Sequence, residues 1–144
     1  MKTMVSFNSA TCDAPLTILI VDDCIPFREG LRQIFGHFPV LTIIGEAGDG
    51  NAAVNLAFQL LPLVIIMDVE MPHLNGIEAT RRIKRFLPHA CIIGVSSRDD
   101  AMTQRAMTLA GCCCFLVKEH SHTLPHLIAR HTGRHLDIRS HVVS

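Results

Sequence analysis

The sequence has no surplus of charge of either sign. Its 144 residues include 13 Lys and Arg against 13 Asp and Glu, which gives a formal net charge of zero at pH 7 and a pI near 7.1. A surface that neutralises nucleic-acid phosphates needs an excess of Lys and Arg on one face. The charge balance therefore argues against nucleic-acid binding as the main function, and we predict no direct contact of this chain with nucleic acid.

Long hydrophobic runs are also missing. The longest apolar stretch, LLPLVIIM at residues 60–67, has eight residues and contains Pro62, whereas a helix needs about 20 apolar residues to span a bilayer. The N-terminus has no compact apolar segment of the kind that a secretory signal requires, and the first apolar run leads directly into two aspartates. We therefore expect a cytoplasmic protein that does not associate with membranes.

The six cysteines lack the CxxC spacing that is typical of zinc sites. Cys12, Cys24 and Cys91 are isolated, and residues 112–114 are three consecutive cysteines. Neighbouring residues on a strand point to opposite faces, so this run is a poor disulfide framework. We interpret it as small apolar residues that enter a buried strand, rather than as a redox or metal site.

Six of the nine histidines lie between His120 and His141. Two pairs have the i,i+4 spacing of helical metal ligands, namely His122 with His126 and His131 with His135. Pro125 and Gly133 interrupt these pairs, and we expect no carboxylate or cysteine to complete a set of ligands. A polar surface is therefore the prediction for this segment, with a charge that depends on pH between about 5 and 8.

Five short apolar runs are present, and each is rich in Ile and Val without polar alternation. This pattern predicts strands that are buried on both faces, as in a parallel sheet covered by helices. The predicted strands are residues 16–21, 41–47, 63–68, 91–96 and 113–118. Helical spacing between and after them predicts five helices, which begin near Pro26, Gly50, Gly76, Asp99 or Asp100, and Thr123 and end near Phe35, Pro62, Pro88, Gly111 and Gly133. The fold class is therefore α/β, a doubly wound (βα)₅ unit.

The length and the pattern together predict one domain. At this size a chain buries roughly 68–70% of the surface that it exposes when unfolded, so a core can form without disulfides or a structural metal. We place the domain at residues 15–132, with a loose N-terminal arm at 1–14 and a polar tail at 133–144. We expect no output domain within these residues.

Polar residues lie at or directly after the ends of four of the predicted strands. Asp22 and Asp23 follow the first strand, Asp68 closes the third, Ser96 the fourth and Lys118 the fifth. The carboxyl ends of parallel strands lie at one edge of the sheet, so these side chains are expected to meet there. Clustered carboxylates raise one another's pKa unless a cation is present, and hard oxygen ligands favour Mg²⁺, or Mn²⁺. The pattern predicts phosphoryl transfer onto the Asp68 carboxylate.

Four segments carry a resemblance to a known family. They are ILIVDD, IIMDVEMPHLNGIEATRRIK, IIGVSS and AGCCCFLVK, and the match runs from about Leu16 to Arg130. The chain resembles the receiver domain of response regulators in two-component signalling. That resemblance implies a CheY-like sheet in the order 2-1-3-4-5. It also implies a role for each of seven residues: Asp68 as the phosphoacceptor, Asp22 and Asp23 as metal ligands, the backbone carbonyl of Glu70 as a further ligand, Ser96 and Phe115 as the conformational switch, and Lys118 as the phosphate-sensing cation.

The resemblance further implies partners and a mechanism. The phosphodonor is expected to be a histidine kinase or a phosphotransfer protein, and the output a second copy of the chain or a downstream target protein. The surface formed by the fourth helix, fifth strand and fifth helix is expected to change on phosphorylation. Such a protein accepts one phosphoryl group and loses it slowly, so we do not expect a turnover enzyme.

One departure narrows the resemblance. Receivers commonly carry proline after the conserved lysine, whereas Glu119 follows Lys118 here. This feature and the GIEATRRIK segment resemble receivers of the NarL/LuxR type, which usually precede a helix-turn-helix domain that binds DNA. A regulator that stands alone and the receiver part of a longer transcription factor both remain open.

Two other classes of protein share some of these features with the receiver. A phosphohydrolase of the haloacid-dehalogenase type also forms an aspartyl phosphate, but it places a second aspartate two residues after the nucleophile, where this chain has Glu70. An interaction module that has lost phosphorylation is disfavoured because all the site side chains are retained. Glu70 and Arg98 are either solvated loop charges or side chains at the mouth of the pocket that tune the access of water to the acyl phosphate.

Overall fold

The computed structural model describes residues 14–138 as five strands and five α-helices that alternate along the chain. The strands are β1 (Leu16–Val21), β2 (Leu41–Ala47), β3 (Val64–Asp68), β4 (Cys91–Ser96) and β5 (Cys114–Val117). The helices are α1 (Ile25–Phe35), α2 (Gly50–Leu60), α3 (Gly76–Phe86), α4 (Ala101–Ala110) and α5 (Leu124–Thr132). A 3₁₀ helix, Lys118–Thr123, joins β5 to α5. The predicted alternation of strand and helix is confirmed.

All strand pairs in the sheet are parallel, and the strand order is β2-β1-β3-β4-β5. Every residue of β3 and β4 is buried, as expected for central strands with helices on both sides. The edge strand β2 is partly exposed, and its register with β1 shifts between Ile18 and Leu19. The predicted fold class and order are confirmed.

The sheet separates two apolar cores. On one face, Ile18, Ile66 and Ile93 pack with Leu31 of α1 and Ile128 of α5. On the other face, inward-facing residues of the same strands pack with α2, α3 and α4; they include Leu19, Ile65, Ile92, Ala53, Ile83 and Met107. Because alternate residues of each strand face opposite sides, every central strand contributes to both cores. This arrangement is the doubly wound one, and it holds the carboxyl ends of the strands at a common edge.

Local sequence signals account for where three helices begin. The side chain of Asp49 accepts a hydrogen bond from the backbone of Ala52 at 2.8 Å and so caps α2. Asn75 and Asp100 cap α3 and α4 in the same way. At its other end α4 stops at Gly111, whose φ of 118° is in the left-handed region that favours glycine.

The observed element bounds differ from the predicted ones in β3, β5 and the segment after β5. β3 begins at Val64 rather than at residue 63, and β5 covers Cys114–Val117 rather than 113–118. Lys118 starts the 3₁₀ helix, because the chain turns there toward α5. The predicted arm at 1–14 lies almost wholly outside the described residues, as does the tail beyond residue 138. Within residues 14–138, none of the helices has the length and apolar character that crossing a membrane requires.

Candidate functional site

The polar residues predicted to meet at the strand ends lie at the carboxyl edge of the sheet. Asp22 and Asp23 directly follow β1, Asp68 is the last residue of β3, and Ser96 is the last residue of β4. Lys118 comes immediately after β5. The strands thereby bring side chains that are up to 96 positions apart in sequence to the same end of the sheet.

Three carboxylates form a tight acidic cluster at this edge. One oxygen each of Asp22, Asp23 and Asp68 lies within 4.8 Å of the others. Asp22 and Asp68 are buried, with 0% and 2% of their surface exposed, whereas Asp23 is open to solvent. Burial, followed by the charge of Asp22, raises the pKa of Asp68 to about 7. The cluster is therefore short of positive charge.

Lys118 supplies part of that charge. Its Nζ atom lies 2.7 Å from Oδ2 of Asp22 and 3.7 Å from Oδ2 of Asp68, so one ammonium spans both buried carboxylates. Burial lowers the pKa of Lys118, but the bond to Asp22 and the charge of Asp68 outweigh it, so the pKa is raised. Lys118 stays positively charged at neutral pH.

The donor set fits a divalent cation with hard oxygen ligands. Three carboxylates meet, one lysine offsets only part of their charge, and the raised pKa of Asp68 is what an acidic pocket shows without further positive charge. Mg²⁺ is bound in proteins through one or two carboxylates and retains several waters, and the exposed position of Asp23 leaves the cluster open on one side. Asp22, Asp23 and Asp68 are the residues that would hold it.

The backbone around Asp68 is held by close contacts. The amide of Val69 donates to the carbonyl of Val95 on β4 at 3.0 Å, and the amide of Gly76 donates to the carbonyl of Val69 at 2.9 Å. A Cβ atom at Gly76 would lie 2.1 Å from the carbonyl oxygen of Asp68. Only glycine permits this approach, so the start of α3 rests directly against the chain at Asp68.

The two predicted switch residues lie in different environments. Ser96 is buried, and its Oγ accepts a hydrogen bond from the backbone amide of Arg98 at 3.1 Å. Phe115 is half-buried and packs against the core on the side of α4. A Cβ atom at Gly94 would come within 2.9 Å of the Phe115 ring and 2.8 Å of Met107, so glycine makes room for both side chains.

Glu70 and Arg98 contact each other across the loops that follow β3 and β4. The guanidinium of Arg98 donates to Oε2 of Glu70 at 2.9 and 3.2 Å, and Ser97 donates to Oε1 at 3.3 Å. The side chains remain 71% and 42% exposed for Arg98 and Glu70, respectively. They are thus a solvated ion pair, and it joins the loop after Asp68 to the loop after Ser96.

Two residues at the site were not singled out from the sequence. The ring of Phe27 lies 4.6 Å from Nζ of Lys118, which is a cation–π distance. Arg28 donates to the backbone carbonyl of Asp22 and also to Glu46 of β2 at 2.9 Å. Both residues belong to the first turns of α1, shortly after Asp22 and Asp23. This position beside the acidic pair is the sequence feature that could have identified them.

Comparisons with known proteins agree with this geometry. A sequence model described as the response regulator receiver domain matches residues 18–129. A protein-glutamate methylesterase/protein-glutamine glutaminase of Myxococcus xanthus is 39% identical over 105 residues, which are 72% of this chain and 30% of that protein. The transcriptional regulatory protein DegU of Brevibacillus brevis is 33% identical over 112 residues, which are 78% of this chain and 48% of that protein. The chain thus spans between about a third and a half of the length of these relatives.

Solved structures show the same likeness. The response regulator domain of Thermotoga maritima CheB superposes with a TM-score of 0.73 and 34% identity, and the match covers 83% of this chain and 95% of that one. A chain from the CheX–CheY–BeF₃–Mg²⁺ complex of Borrelia burgdorferi gives a TM-score of 0.76 and 26% identity, with 81% and 89% coverage.

Proposed function

The chain belongs to the response regulator receiver family of two-component systems, and we propose that it accepts a phosphoryl group on Asp68. The observation that carries this proposal is the position of Lys118, whose Nζ atom spans the buried carboxylates of Asp22 and Asp68 at 2.7 and 3.7 Å. A lysine and three carboxylates at one strand edge are the groups that phosphoryl transfer onto an aspartate needs.

In the proposed reaction a carboxylate oxygen of Asp68 attacks the phosphorus atom of a phosphohistidine on a kinase or phosphotransfer protein. The new O–P bond forms as the P–N bond breaks, and the imidazole of the donor leaves with the electron pair and takes up a proton. Mg²⁺ held by Asp22, Asp23 and Asp68, and by the backbone carbonyl of Glu70, would neutralise charge on the phosphoryl oxygens. Lys118 already lies beside the acceptor, so its ammonium offsets the charge that develops there.

The proposed response begins at Ser96. Its Oγ lies at the end of β4 and accepts a hydrogen bond from the Arg98 amide, and within residues 14–138 the hydroxyl donates to no acceptor, so its hydrogen is available to a phosphoryl oxygen. We propose that this new bond displaces the loop after β4, that Phe115 turns inward, and that the α4-β5-α5 surface changes for a target protein or a second copy of the chain. Whether the output is DNA binding by a longer protein depends on residues other than these, since the matched 112 residues are only 48% of the DegU relative.

The hydrolase alternative is not favoured by the geometry. A phosphohydrolase of the haloacid-dehalogenase type would need the side chain two residues after the nucleophile as an acid or base. The Glu70 carboxylate is instead bound by Arg98 at 2.9 Å and Ser97 at 3.3 Å. We therefore propose a single phosphorylation event without turnover.

The test is incubation with Mg²⁺ and acetyl phosphate, read by intact mass. We expect the wild type to gain the mass of one phosphoryl group, Asp68→Asn to gain none, and Asp99→Asn, which changes an exposed acid of a neighbouring loop, to behave as the wild type. No mass gain in the wild type, or an equal gain in Asp68→Asn, would show that Asp68 is not the acceptor. Release of inorganic phosphate from a phosphomonoester with multiple turnovers would instead favour the hydrolase.

A further inference from the structure

A second cluster of metal-binding side chains lies at the opposite edge of the sheet from Asp68. Cys91 is the first residue of β4, Cys114 is the first residue of β5, and Cys113 immediately precedes it. His131 lies in the last turn of α5. Because β4 and β5 are parallel, both strands begin at this edge and end at the phosphorylation site, so the two clusters are separated by the length of a strand.

The side chains of this cluster are close together. The Sγ atoms of Cys113 and Cys114 and a ring nitrogen of His131 all lie within 4.8 Å of one another. The Sγ atom of Cys91 is 2.8 Å from that of Cys113, and the amide of Cys113 donates to the carbonyl of Ile92 at 2.8 Å, which fixes the chain at this point. Two sulfurs and one imidazole thus form a compact group, and the sulfur of Cys91 adjoins it through Cys113.

We propose that Cys91, Cys113, Cys114 and His131 bind a Zn²⁺ ion. Thiolate and imidazole are the ligands that zinc takes in structural sites, and a set of three cysteines with one histidine is among the usual combinations. Sulfur and nitrogen ligands disfavour Mg²⁺, because Mg²⁺ prefers oxygen ligands. The acidic cluster at the other edge of the sheet provides such oxygens. The two edges of the sheet would therefore take different metals.

Zinc binding would require small changes in the distances between the ligand atoms. With Zn–S bonds of about 2.3 Å and tetrahedral angles, two bound sulfurs are about 3.8 Å apart. The separation between the Cys91 and Cys113 sulfurs must therefore widen from 2.8 Å. The ligand atoms of Cys113, Cys114 and His131 already lie within 4.8 Å of one another, and Cys91 adjoins this group through its contact with Cys113. Cys113 and His131 are exposed, so their side chains can turn without disturbing the core.

The surroundings also favour metal binding. A cavity of about 330 Å³ beside the cluster is lined by Cys91 and His131 and gives an ion access to both. Cys112 differs from its neighbours, because it is buried in the apolar core on the other face of the sheet.

The sequence pattern alone did not predict this site, since its spacing is unlike that of a zinc motif. Two ligands come from a cysteine run that we interpreted as apolar, one from the start of another strand 22 residues earlier, and one from a helix 17 residues later. Only the parallel pairing of β4 with β5 and the packing of α5 bring them together. A bound ion would fasten the end of α5 to the starts of β4 and β5, whether or not Asp68 is phosphorylated.

The test uses reduced, metal-free protein and Co²⁺ as a spectroscopic probe of the zinc site. We expect one equivalent of Co²⁺ to give sulfur-to-cobalt charge-transfer bands with tetrahedral d–d bands, and Zn²⁺ to displace it. Cobalt bound by the acidic cluster would give no thiolate bands, and Asp68→Asn should leave the bands unchanged. His131→Ala and Cys113→Ser should weaken Co²⁺ binding by at least about tenfold.

Matched controls keep the test decisive. His126→Ala removes another exposed histidine of α5, and Cys112→Ser removes a cysteine next to the cluster; both should bind Co²⁺ as the wild type does. His131→Ala changes an exposed side chain, so it serves if a cysteine variant fails to fold. Absence of thiolate bands in the wild type would overturn the proposal. So would unchanged binding in His131→Ala, or recovery of a Cys91–Cys113 disulfide in place of zinc from protein prepared without air.

Discussion

Asp68 should reduce the stability of the protein when no divalent cation is present. Its pKa is raised from 3.8 to about 7, mainly by burial and then by the charge of Asp22. An acid whose pKa is higher in the folded state stabilises the fold fully below its unfolded pKa, and that contribution is lost as the pH rises through the folded value. The loss should therefore occur between about pH 4 and pH 7, and Asp68→Asn should be more stable than the wild type at pH 8 in EDTA.

The size of the effect follows from the shift. Each pKa unit corresponds to about 1.4 kcal/mol, so a shift of about three units sets a ceiling of about 4 kcal/mol. Asp68 is buried in the folded protein but its surroundings can relax around the charge, so we expect a smaller gain of about 1–3 kcal/mol. For a chain of this length that corresponds to a rise in Tm of about 3–10 °C.

The assay is thermal unfolding in EDTA at pH 8 and at pH 4. The advantage of Asp68→Asn should be largest at pH 8 and small at pH 4, where Asp68 is protonated in the folded protein and close to half protonated in the unfolded chain. Asp23→Asn, which changes an exposed acid of the same cluster, should shift Tm much less. An Asp68→Asn variant that melts at or below the wild type at pH 8 would refute the reasoning, as would an advantage that is equal at both pH values.

Three further predictions concern the same edge of the sheet. Gly76→Ala should lower the free energy of unfolding by at least about 2 kcal/mol, because its Cβ would lie 2.1 Å from the carbonyl oxygen of Asp68. The control Gly30→Ala, where nothing lies within 4 Å of the added Cβ, should instead raise it by about 0.5–1 kcal/mol. Equal denaturation midpoints for the two variants would contradict this. Lys118→Met should still bind Mg²⁺ but slow phosphorylation by acetyl phosphate at least about tenfold, and an unchanged rate would remove Lys118 from the proposed mechanism. Arg98→Ala should change the half-life of the phosphoprotein, because it breaks the ion pair that joins the loops after β3 and β4; an unchanged decay would leave the pair as a surface contact.

The architecture was predictable because buried parallel strands have a simple sequence signature. Runs such as VIIMD and CIIGVS have apolar side chains on both faces, and 22 residues or more separate consecutive strand starts, which is enough for a crossover helix. The strand ends then placed Asp22, Asp68 and Lys118 at one edge by topology alone. Their contacts at 2.7 and 3.7 Å follow from that placement.

Contacts between different elements were less accessible from the sequence. Arg28 and Phe27 look like ordinary residues of a first helical turn, and only the packing of α1 beside β1 and the loop after β5 brings them to Asp22 and Lys118. The cysteine cluster shows the same limit, because the pairing of β4 with β5 places Cys91 beside Cys113. The 3₁₀ helix at Lys118–Thr123 has no apolar periodicity, so no pattern marked it.

The double contact of Arg28 has a consequence for engineering the acidic cluster. Arg28 binds the backbone carbonyl of Asp22 and, through Glu46, the edge strand β2, where Arg32 also binds the Glu46 carboxylate and lowers its pKa. The loop that carries two acids is thus braced from a strand that contributes no group to the chemistry. Variants with altered cation affinity are therefore expected not only at Asp22, Asp23 and Asp68 but also at Glu46. A neutral side chain at position 46 would remove the contact of Arg28 with β2 without changing any of the three carboxylates.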